Sequence, residues 1–431
     1  MYEFLIEGEN PLGGDMTLSG GKNAALPSLC ASLLTDKPVI LRNIPKISDV
    51  RVILKIIKIL GGEIEYLNSN DIKICNKNLS IDLKKQKLIF ENMKKLRGSI
   101  LLLAPLLYRF KDITLVSPGG DKIGQRELSA HFEGLKTLGY NIDFNINEFR
   151  VYGKPFLSTN IFLYEPSVTA TENLLMICST IEGETVIENA ACEPHVKDLE
   201  MMLISMGAKI EGVGSNILKI KGKNNLLGVD HTIISDSIEA TSYMIFALLS
   251  KGFINVHNIN SEEMKSILYV FDIFNVKYTT TQNSISILEK QDLYYKKELG
   301  FSNLGIYSHP YPGFPTDIMS LFIVLASQVR GEIIFFEKMY ENRLDFAIDL
   351  KSMGADYTLL DTHRLMSRGI ESLHSGKLFA KDIRSGVAYL AAMLGAKGTS
   401  HLRGVDHIDR AYPNIDRNLA VLGAKIQRKR I

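Results

Sequence analysis

Apolar and polar positions along the chain fall into two helical patterns, and the pair recurs six times. In one pattern polar residues are nearly absent. Runs such as Ile100-Leu101-Leu102-Leu103-Ala104 predict helices buried on most sides. Six of these are predicted, near Gly21–Leu34, Arg97–Phe110, Thr169–Ile181, Ile238–Ser250, Asp317–Val329 and Arg384–Ala396. In the other pattern an amphipathic helix runs into a short phrase where helix gives way to strand. The phrase reads Leu60-Gly61-Gly62-Glu63-Ile64, Leu138-Gly139-Tyr140-Asn141-Ile142, Met206-Gly207-Ala208-Lys209-Ile210, Phe274-Asn275-Val276-Lys277-Tyr278, Met353-Gly354-Ala355-Asp356-Tyr357 and Leu422-Gly423-Ala424-Lys425-Ile426. Its second residue, Gly or once Asn, suits a left-handed position closing a helix. Successive second residues lie 78, 68, 68, 79 and 69 positions apart. A near-fixed period of this kind marks one supersecondary unit used repeatedly. Strands such as Thr185-Val186-Ile187 and Glu332-Ile333-Ile334-Phe335 separate the two helices of a unit. The class is therefore α/β, with six copies of a helix, strand, helix, strand unit of about 70 residues. Central helices ringed by sheets are one arrangement this pattern allows.

Bulk properties narrow the field. A length of 431 residues divides into three units plus three, hence two domains. A net charge of +2 with 23% charged residues argues against a general nucleic-acid surface. Cys30, Cys75, Cys178 and Cys192 lie far apart without metal-ligand spacing, which points to packing residues and reduced thiols in the cytoplasm. The opening Met1-Tyr2-Glu3-Phe4-Leu5-Ile6-Glu7-Gly8 alternates like a strand, unlike a signal peptide. No apolar run reaches the roughly 20 residues a bilayer span takes. The nine histidines do not cluster at metal spacing, and His131 and His407 read as structural. No metal and no cofactor is expected.

Function should lie where the copies differ. The starts of the buried helices carry Lys22-Asn23, Arg97, Ser167-Val168-Thr169, Ser237, Asp317 and Arg384. Loops before the second helices carry Asp121-Lys122 with Arg126, Glu193-Pro194-His195, Glu341-Asn342-Arg343 and His407-Ile408-Asp409-Arg410. Cations beside helix N-termini make an anion-binding arrangement. Any one such arginine is more ordinarily paired with a surface acid. Several at equivalent repeat positions weaken that reading.

At these residues a family becomes recognisable. Ser19-Gly20-Gly21-Lys22-Asn23-Ala24-Ala25-Leu26-Pro27, Pro312-Gly313-Phe314-Pro315-Thr316-Asp317, Tyr340-Glu341-Asn342-Arg343 and His407-Ile408-Asp409-Arg410 resemble, in order and over the whole length, the UDP-N-acetylglucosamine enolpyruvyl transferases (1-carboxyvinyltransferases). The resemblance implies a two-domain inside-out α/β barrel with three repeats per domain and the active site in the cleft between them. Expected domains are 21–229, carrying a mobile loop 116–126, and 1–20 plus 230–431. The implied substrates are phosphoenolpyruvate and UDP-N-acetylglucosamine, with no nucleic-acid or membrane partner. The enolpyruvyl group would move to the sugar 3′-hydroxyl by addition and elimination, releasing phosphate, as the first committed step of peptidoglycan precursor synthesis.

The same resemblance assigns roles. Lys22, Arg126 and Arg410 should hold the phosphate, with Asn23 nearby, while Arg343 and Arg384 clamp the carboxylate, which a planar guanidinium suits. Asp317 is the expected base toward the sugar hydroxyl, in preference to an N-cap role that Thr316 could fill instead. Asp382 either orients Arg384 or shuttles protons, with a structural ion pair as the alternative. Asn23, Arg97, Arg126-Glu127-Leu128-Ser129-Ala130, Ser167-Val168-Thr169, Asp317 and Met339 match nucleotide-sugar contacts. Glu165 and Ser237 depart from basic residues of some relatives. A different departure is Asp121, in Pro118-Gly119-Gly120-Asp121-Lys122-Ile123-Gly124, where most of the family has a loop cysteine, taken as a proton donor or an aid to product release. A thiol titrates near ~8.5 and an aspartic acid near ~3.9, so Asp121 must be buried beside bound phosphate to donate a proton. Two alternatives stay open: the sister transferase acting on shikimate 3-phosphate, and a silent UDP-sugar-binding paralogue. Lys22-Asn23-Ala24-Ala25 and His407-Ile408-Asp409-Arg410 favour the nucleotide-sugar branch.

Overall fold

The residue that closes each amphipathic helix has a positive φ in all six repeats: Gly61 105°, Gly139 99°, Gly207 107°, Asn275 57°, Gly354 95° and Gly423 104°. Five of these values suit a residue without a Cβ, and the sixth lies in the small left-handed region that Asn tolerates. The structure is a computed structural model that describes residues 2–120, 127–296, 305–369 and 372–431. The amphipathic helices so ended are Ser48–Leu60, Ser129–Thr137, Pro194–Ser205, Lys265–Ile273, Phe346–Lys351 and Ile415–Val421, and each is followed by a strand.

The apolar runs form six further helices: Lys22–Ala31, Leu103–Phe110, Val168–Cys178, Ser237–Leu249, Thr316–Ala326 and Ile383–Gly395. In Thr316–Ala326 every residue from Ile318 to Ala326 is buried, as the near-absence of polar positions predicts. At about 1.5–3 kcal/mol per large apolar side chain, such burial dominates the stability of each unit. The second helix departs from expectation. Its opening, Arg97–Leu102, is a 3₁₀ turn, and the α-helix begins at Leu103.

The chain separates into two compact units. One runs from Gly20 to Ile234; the other combines the chain up to Ser19 with Ser235–Ile431. Each has its own apolar core. The boundary falls after Ile234 instead of after residue 229, because Asp230–Thr232 pairs in parallel with Val39–Arg42 of the first unit. In the second unit Ser237–Leu249, Thr316–Ala326 and Ile383–Gly395 pack pairwise on one another. In the first, Val168–Cys178 packs on Leu103–Phe110 and on the Arg97–Leu102 turn, which also meets Lys22–Ala31.

Among the described residues there are five four-stranded sheets and one three-stranded sheet, and none closes on itself. The barrel of the expected fold is thus an arrangement of separate small sheets. A common order recurs, as in Asp230–Thr232, Val39–Arg42, Ile72–Cys75, Glu63–Tyr66: one parallel pair, then two antiparallel pairs. The N-terminal strand Tyr2–Glu7 pairs antiparallel with both Thr399–Arg403 and Lys425–Arg430, completing the last sheet. No helix among the described residues is long and apolar enough to cross a membrane.

Candidate active site

Pro315, extended at φ −70° and ψ 132°, starts the helix Thr316–Ala326 and leaves Asp317 in its first turn. A carboxylate there is favoured by the helix dipole. The side chain does not cap. Its Oδ2 accepts from Arg384 Nη2 at 2.6 Å, and its Oδ1 accepts from Arg343 Nη2. Thr316 does not cap either; its hydroxyl donates to Glu337 Oε2 at 2.7 Å. Burial alone would raise the Asp317 carboxyl, but Arg384 and then Arg343 outweigh it and hold it well below the usual carboxylate range. Arg384 is likewise held protonated by Asp317 against the cost of burial.

Arg384 is fixed from behind. Arg384 lies in the first turn of Ile383–Gly395, and Asp382 caps that helix. Asp382 Oδ1 accepts from the backbone N–H groups of Arg384 at 2.7 Å and Ser385 at 3.0 Å, while Ser385 Oγ accepts from Asp382 N. Asp382 therefore sets Arg384 through the backbone and makes no ion pair with it. The Arg343 side chain is only 4% exposed, and its Nε has no hydrogen-bond partner among the described residues. Its guanidinium lies 5.3 Å from the Tyr340 ring centroid. Arg410 ends the 3₁₀ turn Val405–Arg410. That turn is anchored by Arg428, whose two Nη atoms each donate to Asp409 at 2.7 Å. Two residues on, the buried Tyr412 hydroxyl meets Ser242 Oγ at 2.7 Å, and burial raises its pKa against the pull of nearby Arg384.

In the first unit Lys22 begins the helix Lys22–Ala31, its Nζ 2.5 Å from Asp49 Oδ2 at the start of Ser48–Leu60. Asn23 follows, half-buried. A second cluster gathers residues expected to meet the nucleotide. Arg97 Nη2 donates to the Glu127 carbonyl at 3.3 Å, and Ser129 Oγ donates to Glu127 Oε2 at 2.7 Å. Leu128 and Ala130 flank Ser129 in the chain. His131 is buried; burial first, then Arg97, pushes its pKa down to about 3. It is therefore neutral. Asn173 Nδ2 faces Nδ1 at 3.2 Å and can only donate, so Nε2 carries the proton and donates to Thr169 Oγ1 at 3.0 Å. Asn173 also bonds Ile100 O, Ala104 N and Thr169 O, tying three helical segments together. Ser167 precedes Val168–Cys178 in an extended conformation, and its hydroxyl makes no capping bond.

The structure thus groups Asp317, Arg343 and Arg384 in one unit, and Arg97, Glu127, Ser129 and Thr169 in the other. Met339 is 41% exposed, its N–H donating to Glu337 Oε1. Asp121 and Arg126, with most of the expected lid, lie outside the described residues. Sequence reasoning missed Asp49, Asn173, Glu337 and Arg428. Asn173, a polar residue inside an apolar helix, carried a usable signal; Arg428, in an exposed basic strand, carried none.

Comparison with known proteins places this geometry. The family model described as EPSP synthase (3-phosphoshikimate 1-carboxyvinyltransferase) matches residues 6–419. The chain is 40% identical over 430 residues to the UDP-N-acetylglucosamine 1-carboxyvinyltransferase of Treponema denticola, covering 100% of both chains. It is 39% identical over 429 residues to that of Borrelia garinii subsp. bavariensis, covering 99% of each. Among solved structures, the enolpyruvyl transferase NikO from Streptomyces tendae superposes with a TM-score of 0.87 at 20% identity, covering 99% of each chain. EPSP synthase from Acinetobacter baumannii gives 0.70 at 16% identity, covering 100% of each. A six-repeat chain with paired arginines around one aspartate, alike over its full length to these proteins, belongs to the enolpyruvyl transferase family that contains the EPSP synthases and the UDP-N-acetylglucosamine 1-carboxyvinyltransferases.

Proposed function

We propose that this enzyme transfers the enolpyruvyl group of phosphoenolpyruvate to the 3′-hydroxyl of UDP-N-acetylglucosamine, supplying the first committed step of peptidoglycan precursor synthesis. Full-length identity of 40% to a relative of that name carries the reading. The arginine-held Asp317 supports it chemically. In the addition step the sugar oxygen bonds to C2 of the enol, the hydroxyl proton passes to Asp317, and a proton arrives at C3. In the elimination step C3 loses a proton, the double bond re-forms, and the C2–O bond to phosphate breaks. Asp121 is the candidate donor toward C3. Lys22, Arg126 and Arg410, with Asn23, take the phosphate; Arg343 and Arg384 take the carboxylate. The nucleotide sugar would be met by Asn23, Arg97, 126–130, 167–169, Asp317 and Met339.

On this reading the substrate carboxylate competes with Asp317 for the same two guanidinium groups. Its arrival releases Asp317 from both arginines and makes the aspartate a stronger base at the moment one is needed. Free cysteines, of which Cys30 and Cys178 are buried with thiols pushed up by burial, support a reducing compartment, the cytoplasm. The test is phosphate release from phosphoenolpyruvate, with UDP-N-acetylglucosamine or shikimate 3-phosphate supplied separately. Release with the nucleotide sugar alone is expected. Release with shikimate 3-phosphate alone would move the protein to the sister activity, and tight UDP-sugar binding without release would make it a silent paralogue.

A further inference from the structure

Glu337 is fully buried and plays no part in the chemistry proposed above. It follows the strand Glu332–Phe336, and three donors from three chain segments converge on its side chain. Ser308 Oγ and Met339 N donate to Oε1 at 2.8 and 2.9 Å, and Thr316 Oγ1 donates to Oε2 at 2.7 Å. Ser308 Oγ in turn accepts from Lys338 N at 2.9 Å. The Glu337 backbone is held as well: its N–H donates to His363 O at 2.8 Å, and its carbonyl accepts from His363 Nδ1 at 2.6 Å. Glu337 is therefore immobile, and whatever bonds to its carboxyl group inherits its position. Two of those partners adjoin the site. Thr316 precedes Asp317 in the same helical turn, and Met339 begins the loop that carries Arg343.

We infer that Glu337 is a positioning residue for the Asp317 proton acceptor, locking the first turn of the Thr316–Ala326 helix to the Met339–Arg343 loop in one fixed register. This rests on the reading of Asp317 as the acceptor. The geometry explains why Thr316 leaves its own helix uncapped: its hydroxyl is committed to the strand behind it. A carboxylate serves where three donors meet because both oxygens accept. Glutamine offers one accepting oxygen for Ser308 and Met339, and its amide can donate to the Thr316 oxygen, so Glu337→Gln preserves most of the lock. Leucine preserves none.

The experiment is steady-state phosphate release by Thr316→Val, Thr316→Ser, Glu337→Gln and Glu337→Leu, run well below each variant's unfolding temperature. Thr316→Val removes one hydroxyl and keeps the shape. It should lower kcat on the order of tenfold to a hundredfold, the cost of a slightly misplaced catalytic group, with KM for both substrates little changed. Thr316→Ser should restore kcat, and Glu337→Gln should exceed Glu337→Leu by at least tenfold in kcat. Wild-type kcat in Thr316→Val and Glu337→Leu, with only a lowered unfolding temperature, would reduce Glu337 to a structural residue and overturn the inference. A rise in KM at unchanged kcat would overturn it too. Asp317→Asn is run in parallel: if it retains turnover, the reading of Asp317 itself fails, whatever the Thr316 variants do.

Discussion

Replacing Asp317 by Asn should abolish turnover and yet tighten the binding of phosphoenolpyruvate. Asp317 makes charge-assisted bonds to Arg343 and Arg384, whose side chains are 4% and 14% exposed. A substrate carboxylate entering that clamp must first displace the aspartate. A hydrogen bond to a charged partner contributes about 1.5–3 kcal/mol, and one between neutral groups about 0.5–1.5. Asparagine keeps one accepting oxygen, so one guanidinium loses its anion and the other meets a neutral acceptor. The competition removed is about 2.5–4.5 kcal/mol before screening. The Asp317 side chain is 29% exposed, and water screens part of that difference. We expect about 1.4 kcal/mol, or roughly tenfold in Kd. Calorimetric titration of wild type and Asp317→Asn with phosphoenolpyruvate, in the absence of the acceptor sugar, measures it. Inorganic phosphate is the control, since it lacks the carboxylate and should bind both proteins alike. Unchanged or weaker phosphoenolpyruvate binding by Asp317→Asn would refute the competition. Equal tightening of phosphate would reduce the effect to a general change of field.

Other consequences can be checked directly. The folded-state pKa of Asp317 is depressed, so its ion pairs stabilise fully above the unfolded value of about 3.9 and weaken as pH falls below it. The gap in unfolding temperature between wild type and Asp317→Asn should be constant from neutral pH to about pH 5 and shrink below about pH 4; a gap that widens in acid contradicts the depressed pKa. The resemblance implies that the epoxide antibiotic fosfomycin acts by alkylating the loop cysteine of the family; a carboxylate is a poorer nucleophile toward an epoxide, so this protein should resist it, and Asp121→Cys should confer time-dependent inactivation. Asp121→Asn should lose most turnover; full activity in that variant rules Asp121 out as the proton donor. Gly61 sits at φ 105°, and a Cβ there would lie 2.8 Å from the Asn78 carbonyl oxygen. Gly61→Ala should therefore cost about 1–3 kcal/mol, read as a lower denaturant midpoint, and a midpoint equal to wild type would show that the repeat phrase tolerates a side chain.

Hydrophobic periodicity made the six units legible, because a helix buried on all sides can hold almost no polar residue and a helix closing at positive φ selects Gly or Asn. Those are local requirements, and the chain states them locally. Lys22, Arg384 and Asp317, at the starts of apolar helices, and Arg343, in a loop at an equivalent repeat position, were legible as candidates because several charges at corresponding places in the repeats are hard to explain as isolated surface pairs. Their partners were not. Arg343 lies 26 residues from Asp317 and Arg384 lies 67, and only the packing of Thr316–Ala326 on Ile383–Gly395 turns three separate charges into one ion-paired cluster. Asp382 could be read from sequence as orienting Arg384, as a proton shuttle or as an ion pair; the backbone geometry at Ile383 makes it a cap. Glu337 looks in sequence like the polar end of an apolar strand, and the role inferred for it depends on Ser308 and Thr316, which are brought to it by the fold. The sequence by itself determined the repeat, the buried helices and the residue types at their starts, since each follows from local periodicity and backbone conformation. Tertiary structure alone decided which charges neutralise one another and which side chains are held still, because those depend on distances between segments remote along the chain.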